Sequence, residues 1–156
     1  MTLSPPDAPL RDLRMERHDD GIVLVTLDLP ARRNVMSAPM TASWTRLMSL
    51  LRVDHDVRCV VITGAGSAFC SGGDTSWIGS EPDAGVDALR SRMLPFYRAW
   101  LSVRDLEVPT IAAVNGPAIG AGLALALACD LRYAAEDARL AVPFTALGMH
   151  AGMATT

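Results

Sequence analysis

The sequence predicts one α/β domain, and two kinds of pattern indicate this class. Short apolar runs rich in β-branched residues, such as Val57–Thr63 and Ile111–Val114, are typical of buried strands. Residues 38–54 carry apolar side chains at helical spacing, which indicates an amphipathic helix. A chain of 156 residues is long enough to bury one hydrophobic core.

The remaining elements can be placed in chain order. Residues 1–12 are proline-rich and are expected to form a flexible arm, and residues 13–156 are expected to form the core domain. The predicted elements are a hairpin of strands 13–17 and 22–27, a helix at 38–54, a strand at 57–63, a helix at 86–106 that Pro95 kinks or breaks, a strand from Ile111, a helix from Gly122, strands at 131–134 and 139–142, and a helical turn from Pro143.

Two of the predicted strands run into glycine-rich turns. The strand at 60–63 leads to a loop that ends in Gly72 and Gly73, and the strand from Ile111 leads to Gly120-Ala121-Gly122 at the start of a helix. A strand, a glycine turn and a helix start direct backbone N–H groups at one place. Two such loops can each give one N–H to the same oxygen, so the pattern predicts an oxyanion hole.

These segments carry a family resemblance. AFCSGGD at 68–74 and IAAVNGPAIGAGLALALACDLR at 111–132 resemble the two signature segments of the crotonase superfamily, the enoyl-CoA hydratase/isomerase proteins. PARRNVMS at 30–37 resembles that family's first CoA-contacting loop, and residues 140–155 resemble a fourth block. The resemblance implies the crotonase-like (ClpP/crotonase) fold, which is an α/β spiral of β-β-α units. It also implies that the protein processes acyl-CoA thioesters.

The resemblance implies specific oxyanion donors and CoA contacts. The donors are the backbone N–H groups of Gly73 and Ala121, where the family usually has a glycine at the second position. The alternative is that these glycine turns only allow tight strand–helix packing. CoA phosphates can pair with Arg32 or Arg33, unless this pair is simply solvated. The implied substrate-binding positions are Ala31, Arg32, Arg33, Val35, Ser71, Asp74, Thr75 and Phe144.

Both glutamates of the family's hydratases are missing from this sequence. The resemblance places them at Ala124 and Phe144, and neither side chain can transfer a proton. Two substitute acids or bases are considered: Tyr97, on a variable helix that lines the acyl pocket in the family, and His150, in the fourth block. No GxSxG elbow or partner histidine supports Ser71 or Cys70 as a nucleophile.

Other classes of function are poorly supported. Both Gly-x-Gly turns lack the third glycine of a dinucleotide fingerprint, and neither has the GK[ST] of a P-loop. The net charge is −3 and all 14 basic residues are arginines without a basic block, which argues against nucleic acid. Three cysteines in apolar settings favour free thiols, and the first residues lack the apolar core of a signal peptide. We expect a cytoplasmic protein that needs no metal and no membrane.

The leading expectation is an acyl-CoA-processing lyase or isomerase of fatty acid metabolism that acts through a thioester enolate. CoA is then part of the substrate, and no separate cofactor is expected. A non-catalytic acyl-CoA-binding homologue, and a CoA-thioester isomerase or hydrolase with a substitute acid/base, remain alternatives. Family members continue beyond the position of Thr156. We therefore expect a chain without the usual C-terminal helical region, and exposed apolar surface where those helices would pack. For a full-length chain we expect a homo-oligomer, either a trimer or a hexamer.

Overall fold

The computed structural model describes residues 9–78 and 83–148, together with residues 150, 152, 153 and 155. The elements are β1 (Leu13–Arg17), β2 (Ile22–Leu27), α1 (Ala38–Leu51), β3 (Cys59–Gly64), α2 (Thr75–Ile78), α3 (Val86–Leu101), β4 (Thr110–Val114), β5 (Ala118–Ile119), α4 (Ala121–Ala128), β6 (Leu131–Ala134) and β7 (Leu140–Ala141). Short 3-10 turns lie at Pro30–Arg32, Ser102–Asp105 and Thr145–Leu147.

A five-stranded sheet in the order β1-β2-β3-β4-β6 forms the centre of the structure. β1 and β2 make an antiparallel hairpin, in which Leu13 lies opposite Leu27 and Arg17 opposite Val23. The strands β2, β3, β4 and β6 run parallel to one another. Parallel strands need long crossover connections, and here the connections contain the helices.

A second row of short strands follows the main sheet. β5 pairs in parallel with β7, and isolated bridges between Cys70 and Ala118 and between Met36 and Gly73 extend this row. Each turn of the chain therefore gives one strand to the main sheet, one short strand to the second row and then a helix, as in β4, β5 and α4. This repeat is the spiral of β-β-α units that the sequence predicted.

The helices α1 and α3 pack together over the main sheet. Ser37 caps α1 by accepting a hydrogen bond from the N–H of Met40. The fully buried Trp44 stacks on Trp100 of α3, with ring centroids 4.8 Å apart. Each indole also donates a hydrogen bond across the helix pair, Trp44 to the Ala99 carbonyl at 3.0 Å and Trp100 to a threonine hydroxyl at 3.1 Å. This contact fixes the position of α3, which lines the site described below.

The predicted elements are largely confirmed, with differences at helix ends. The hairpin and the strand at 131–134 have the predicted bounds, whereas α1 ends at Leu51 and α3 ends at Leu101. The helix α3 continues through Pro95 instead of ending there. Pro95 removes the N–H that would bond the carbonyl of Ser91, and both residues are exposed, so water can satisfy that carbonyl.

The structure also describes the end of the predicted arm and the exposed strands near the C-terminus. Leu10 packs on the core, and Asp12 accepts a hydrogen bond from the Ser37 hydroxyl at 2.8 Å, while residues 1–8 lie outside the described part. Exposed apolar side chains occur on α4, on β6 and at β7, namely Leu127, Leu131, Tyr133, Leu140 and Val142. Within the described residues no helix is both long and apolar enough to cross a membrane.

Candidate functional site

Both expected oxyanion donors lie in one cavity, which we call the inner cavity. Its volume is about 210 Å³, and both Gly73 and Ala121 line it. Its walls come from the first glycine loop, from α3, from the turn before α4 and from the residues after β7. The two glycine turns, 48 residues apart in the chain, therefore meet at one place.

The first glycine loop runs directly against the start of α4. Gly72 has a φ of +91°, which is a left-handed conformation that favours glycine. A Cβ added to Gly72 would lie 2.6 Å from the carbonyl oxygen of Ile119 and 3.4 Å from the backbone nitrogen of Ala121. Only glycine fits at this position, and it allows the first glycine loop to lie against the backbone of the turn before α4.

Neither expected donor is used elsewhere in the part of the chain that the structure describes. Ala121 is the first residue of α4, so its N–H has no acceptor within the helix. Neither this N–H nor that of Gly73 donates a hydrogen bond to any described residue. Two backbone donors in one cavity, one of them at the positive end of a helix dipole, have the geometry that the predicted oxyanion hole requires.

Hydrogen bonds from the neighbouring strands hold the second turn in place. Gly120 has a φ of +55°, and its N–H donates to the carbonyl of Ala141 at 2.8 Å. The N–H of Ile119 donates to the carbonyl of Cys70 at 2.9 Å, which ties the second turn to the first loop. A Cβ at Gly122 would overlap the backbone of Cys70, so close packing is also a function of these glycines.

Tyr97 and His150, the two substitute acid/base residues, line the same inner cavity. Tyr97 is half-buried on α3, and its hydroxyl lies so close to Gly152 that a Cβ there would overlap it. Burial raises the pKa of the Tyr97 phenol, so it stays protonated at neutral pH and can donate a proton. His150 is exposed.

The two positions of the missing glutamates differ in their surroundings. Phe144 lines the inner cavity, and its ring lies against Gly120, 3.7 Å from the position a Cβ would take there. Ala124 is buried within α4 and does not line the cavity. Neither residue brings a titratable group to the site.

The positions expected to contact CoA line a second cavity of about 400 Å³, which we call the outer cavity. It shares Ser71, Gly73 and Thr75 with the inner cavity, so the two adjoin. Seven of the eight expected substrate-binding residues line it, and Phe144 lines the inner cavity instead. The seven are Ala31, Arg32, Arg33, Val35, Ser71, Asp74 and Thr75.

The two arginines of the outer cavity have different environments. Arg32 forms an ion pair with Asp74 at 3.0 Å, which joins the first loop to the first glycine loop. The Ser76 hydroxyl, at 2.7 Å, and Arg32 hold the pKa of Asp74 below its ordinary value. Arg33 is exposed, and its guanidinium contacts no partner among the described residues. Arg33 is therefore the cation available to an anionic ligand.

Sequence reasoning missed the role of Asn34, which lies in the chain between Arg33 and Val35 of the outer cavity. Its side chain is fully buried and donates hydrogen bonds to the carbonyls of Ala65, Ala68 and Phe69. The only sequence signal is its place in the segment PARRNVMS, because the three carbonyls that its Nδ2 group contacts lie 31 to 35 residues away.

Several other possibilities find no support at this site. Cys70 is buried, burial raises the pKa of its thiol to about 12, and the thiol donates to the Asn34 carbonyl at 3.1 Å. It is thus unsuited to act as a nucleophile, in agreement with the sequence interpretation. Among the described residues no group of three His, Cys, Asp or Glu could hold a metal ion. A larger cavity of about 780 Å³ between α1 and α3 contains neither donor.

The chain belongs to the enoyl-CoA hydratase/isomerase family, because the model of that family matches residues 17–156. A protein of Mycobacterium tuberculosis described as a probable enoyl-CoA hydratase is 43% identical over 139 residues, which are 88% of this chain and 53% of that protein. An enoyl-CoA hydratase of Alternaria alternata is 35% identical over 93% of this chain and 48% of its own length. The chain spans about half the length of the curated relatives it matches.

Solved structures establish the crotonase fold. An enoyl-CoA hydratase from Bacillus anthracis superposes with a TM-score of 0.81 at 28% identity, covering 92% of this chain and 55% of that one. A probable enoyl-CoA hydratase/isomerase from Mycobacterium abscessus gives a TM-score of 0.76 at 37% identity, covering 91% of this chain and 53% of that one. The α/β spiral expected from the sequence is therefore confirmed.

Proposed function

We propose that this protein binds an acyl-CoA thioester and stabilises the thioester enolate with the backbone N–H groups of Gly73 and Ala121. The observation that carries the proposal is the convergence of these two unused donors in the inner cavity. The adjoining outer cavity, lined by Arg33 and the loop around it, supplies the CoA contacts. The names of the relatives, which describe enoyl-CoA hydratases, support the same substrate class.

The chemistry needs donors that are already in place when charge develops. Removing a proton next to a thioester carbonyl, or adding a nucleophile to the conjugated bond, moves negative charge onto the carbonyl oxygen. Donors that need no reorganisation stabilise this charge more than they stabilise the neutral carbonyl, and each contributes roughly 2.7–4 kcal/mol in comparable sites. Gly73 and Ala121 are held by backbone hydrogen bonds of their loops and so meet this requirement.

Proton transfer requires side chains other than the two glutamates. We assign Tyr97, whose phenol is protonated at neutral pH, as the proton donor, and His150 of the inner cavity as the proton acceptor. Both line the space next to the donors. We therefore propose a lyase or isomerase of this family, or a thioester hydrolase, that uses this pair instead of the two-glutamate route.

A non-catalytic acyl-CoA-binding homologue is the second candidate. It is favoured by Ala124 and Phe144, which leave both glutamate positions without a titratable group. The ring of Phe144 against Gly120 gives apolar contact to an acyl group instead. In this reading the two N–H groups bind the carbonyl without a reaction.

The cofactor requirement, the cellular location and the assembly of the protein are also proposals. CoA enters as part of the substrate, so we propose no separate cofactor and no metal. We propose that the protein acts in the cytoplasm in fatty acid metabolism, and that its full-length form assembles as a homo-oligomer like the trimers and hexamers of the family.

Exchange of α-protons tests the enolate directly. Butyryl-CoA is incubated with the protein in D2O, and mass spectrometry follows deuterium uptake, while calorimetry measures binding and the absorbance of crotonyl-CoA measures hydration. The proposal expects binding and exchange, with exchange lost in Tyr97→Phe or His150→Gln. Binding without exchange or hydration would identify the non-catalytic homologue. Failure to bind either thioester would overturn both candidates.

A further inference from the structure

We infer that Asn34 is a positioning residue that fixes the first glycine loop, and with it the Gly73 N–H, at the oxyanion site. The inference rests on the proposed function, because it assigns a role in that same site. Asn34 does not touch the inner cavity; it acts through the loop that carries the donor.

Both the nitrogen and the oxygen of the Asn34 side-chain amide form hydrogen bonds. The Nδ2 group lies 2.9 Å from the carbonyl oxygen of Ala65, 2.8 Å from that of Ala68 and 3.3 Å from that of Phe69. The Oδ1 atom accepts from the N–H of Leu29 at 2.9 Å. The residue is completely buried, so these backbone groups have no water to replace the amide if it is removed.

The backbone of Asn34 connects the same two loops a second time. Its φ is +54°, a left-handed conformation that asparagine tolerates better than most residues. Its carbonyl accepts from the Cys70 thiol at 3.1 Å. On either side of it, the carbonyl of Arg33 accepts from the N–H of Ser71 at 3.0 Å, and the N–H of Met36 donates to the carbonyl of Gly72 at 2.8 Å.

These contacts bind the whole first glycine loop between Ala65 and Gly72 to the loop of the outer cavity. The loop ends at Gly73, which is the residue after the last contact. Without the amide, three carbonyls and one N–H would lose their partner, and the loop would shift to find others. A displacement of about 1 Å at such a donor can lower a rate by about 10²-fold.

Two substitutions separate the amide from the backbone conformation. Asn34→Gly keeps the left-handed turn and removes the amide, whereas Asn34→Ser keeps one hydroxyl donor. Thr110→Val is the matched control, because it removes a buried hydroxyl that bonds Asp130 at 2.7 Å, outside both cavities. Thermal unfolding of all variants measures the structural effect.

The effect of Asn34 on the position of the Gly73 N–H is measured with cinnamoyl-CoA, a chromophoric thioester. Its absorption maximum moves to longer wavelength when its carbonyl accepts hydrogen bonds. We expect the shift in the wild-type protein and in Thr110→Val, its loss in Asn34→Gly, and a partial shift in Asn34→Ser. Exchange of butyryl-CoA protons should fall about 10²-fold in kcat for Asn34→Gly, with a smaller change in KM.

The outcomes distinguish this inference from the proposed function. An undiminished shift in Asn34→Gly with cinnamoyl-CoA bound would overturn the positioning role. Loss of folding in both Asn34 variants would also overturn it, in favour of a purely structural role. Absence of a shift in the bound wild-type protein would instead contradict the oxyanion site itself.

Discussion

The two sides of the inner cavity are built in different ways. One side presents the backbone N–H groups of Gly73 and Ala121, held by loops that hydrogen-bond to each other, and we propose that it binds the thioester carbonyl. The other side presents single side chains, Tyr97 on α3 and His150 after β7, and we propose that it transfers protons. A backbone donor survives most substitutions at its own position, whereas a proton-transfer group is lost with one substitution.

This difference explains why the family is easier to recognise than its reaction. The glycines that shape the carbonyl side are present, and alanine in place of glycine at Ala121 keeps the N–H. The family resemblance places its two glutamates at Ala124 and Phe144, and neither residue carries a titratable group. Under the proposed function, the backbone of the fold binds and polarises the thioester, and a few side chains determine the reaction.

The largest effects are expected on the proton-transfer side. Removing a general acid or base by Tyr97→Phe or His150→Gln should lower α-proton exchange of butyryl-CoA by about 10²–10⁴-fold, with little change in binding. Because burial raises the pKa of Tyr97, activity that needs its proton should persist up to about pH 10, the ordinary tyrosine pKa, and fall only above it. Exchange that is unchanged in both variants would remove this pair from the mechanism.

The next largest effect is expected from loss of one backbone donor. Ala121→Pro removes the N–H at the first position of α4, where proline is compatible with a helix. Exchange should fall about 10²–10³-fold, while Ala121→Gly, which keeps the N–H, should stay close to the wild-type rate. Equal rates in the two variants would show that Ala121 is not a donor.

A smaller effect, on stability, is expected at the contact between the two loops. Gly72→Ala places a Cβ 2.6 Å from the Ile119 carbonyl at a φ of +91°, so we expect a loss of about 1–3 kcal/mol in the free energy of unfolding. Gly85→Ala is the control, since no atom lies within 4 Å of the added Cβ, and its effect should stay within about 1 kcal/mol. Similar melting temperatures for the two variants would contradict the packing described here.

The smallest effect is expected at the outer cavity. Arg33→Gln should weaken CoA binding about tenfold, which corresponds to the lower end of the free energies found for a hydrogen bond to a charged group. This loss of affinity should be smaller at high salt concentration, because salt screens the charges. Arg32→Gln should have less effect, because Arg32 is already paired with Asp74. Calorimetry with CoA at two salt concentrations measures the affinity of both variants. A larger loss of affinity in Arg32→Gln than in Arg33→Gln would assign CoA binding to Arg32 instead.

Local patterns were sufficient to predict most of the fold and the two glycine turns that meet at the inner cavity. The hairpin, the strand at 131–134 and both glycine turns follow from alternation and turn residues within short segments. The strand β5 was missed because it has two residues and exists through its pairing with β7. The role of Asn34 and the Arg32–Asp74 pair were missed because the carbonyls that the Asn34 Nδ2 group contacts lie 31 to 35 residues away, and Asp74 lies 42 residues from Arg32.

The carbonyl stretch of a bound thioester tests the central claim most directly. Butyryl-CoA labelled with ¹³C at the carbonyl is bound to the wild-type protein and to Ala121→Pro, and isotope-edited infrared difference spectra are recorded. If Gly73 and Ala121 both donate to the carbonyl oxygen, the stretch lies at lower wavenumber in the wild-type complex than in water, and Ala121→Pro reverses part of this change. A bound thioester whose carbonyl absorbs at the same wavenumber as in water would contradict the account.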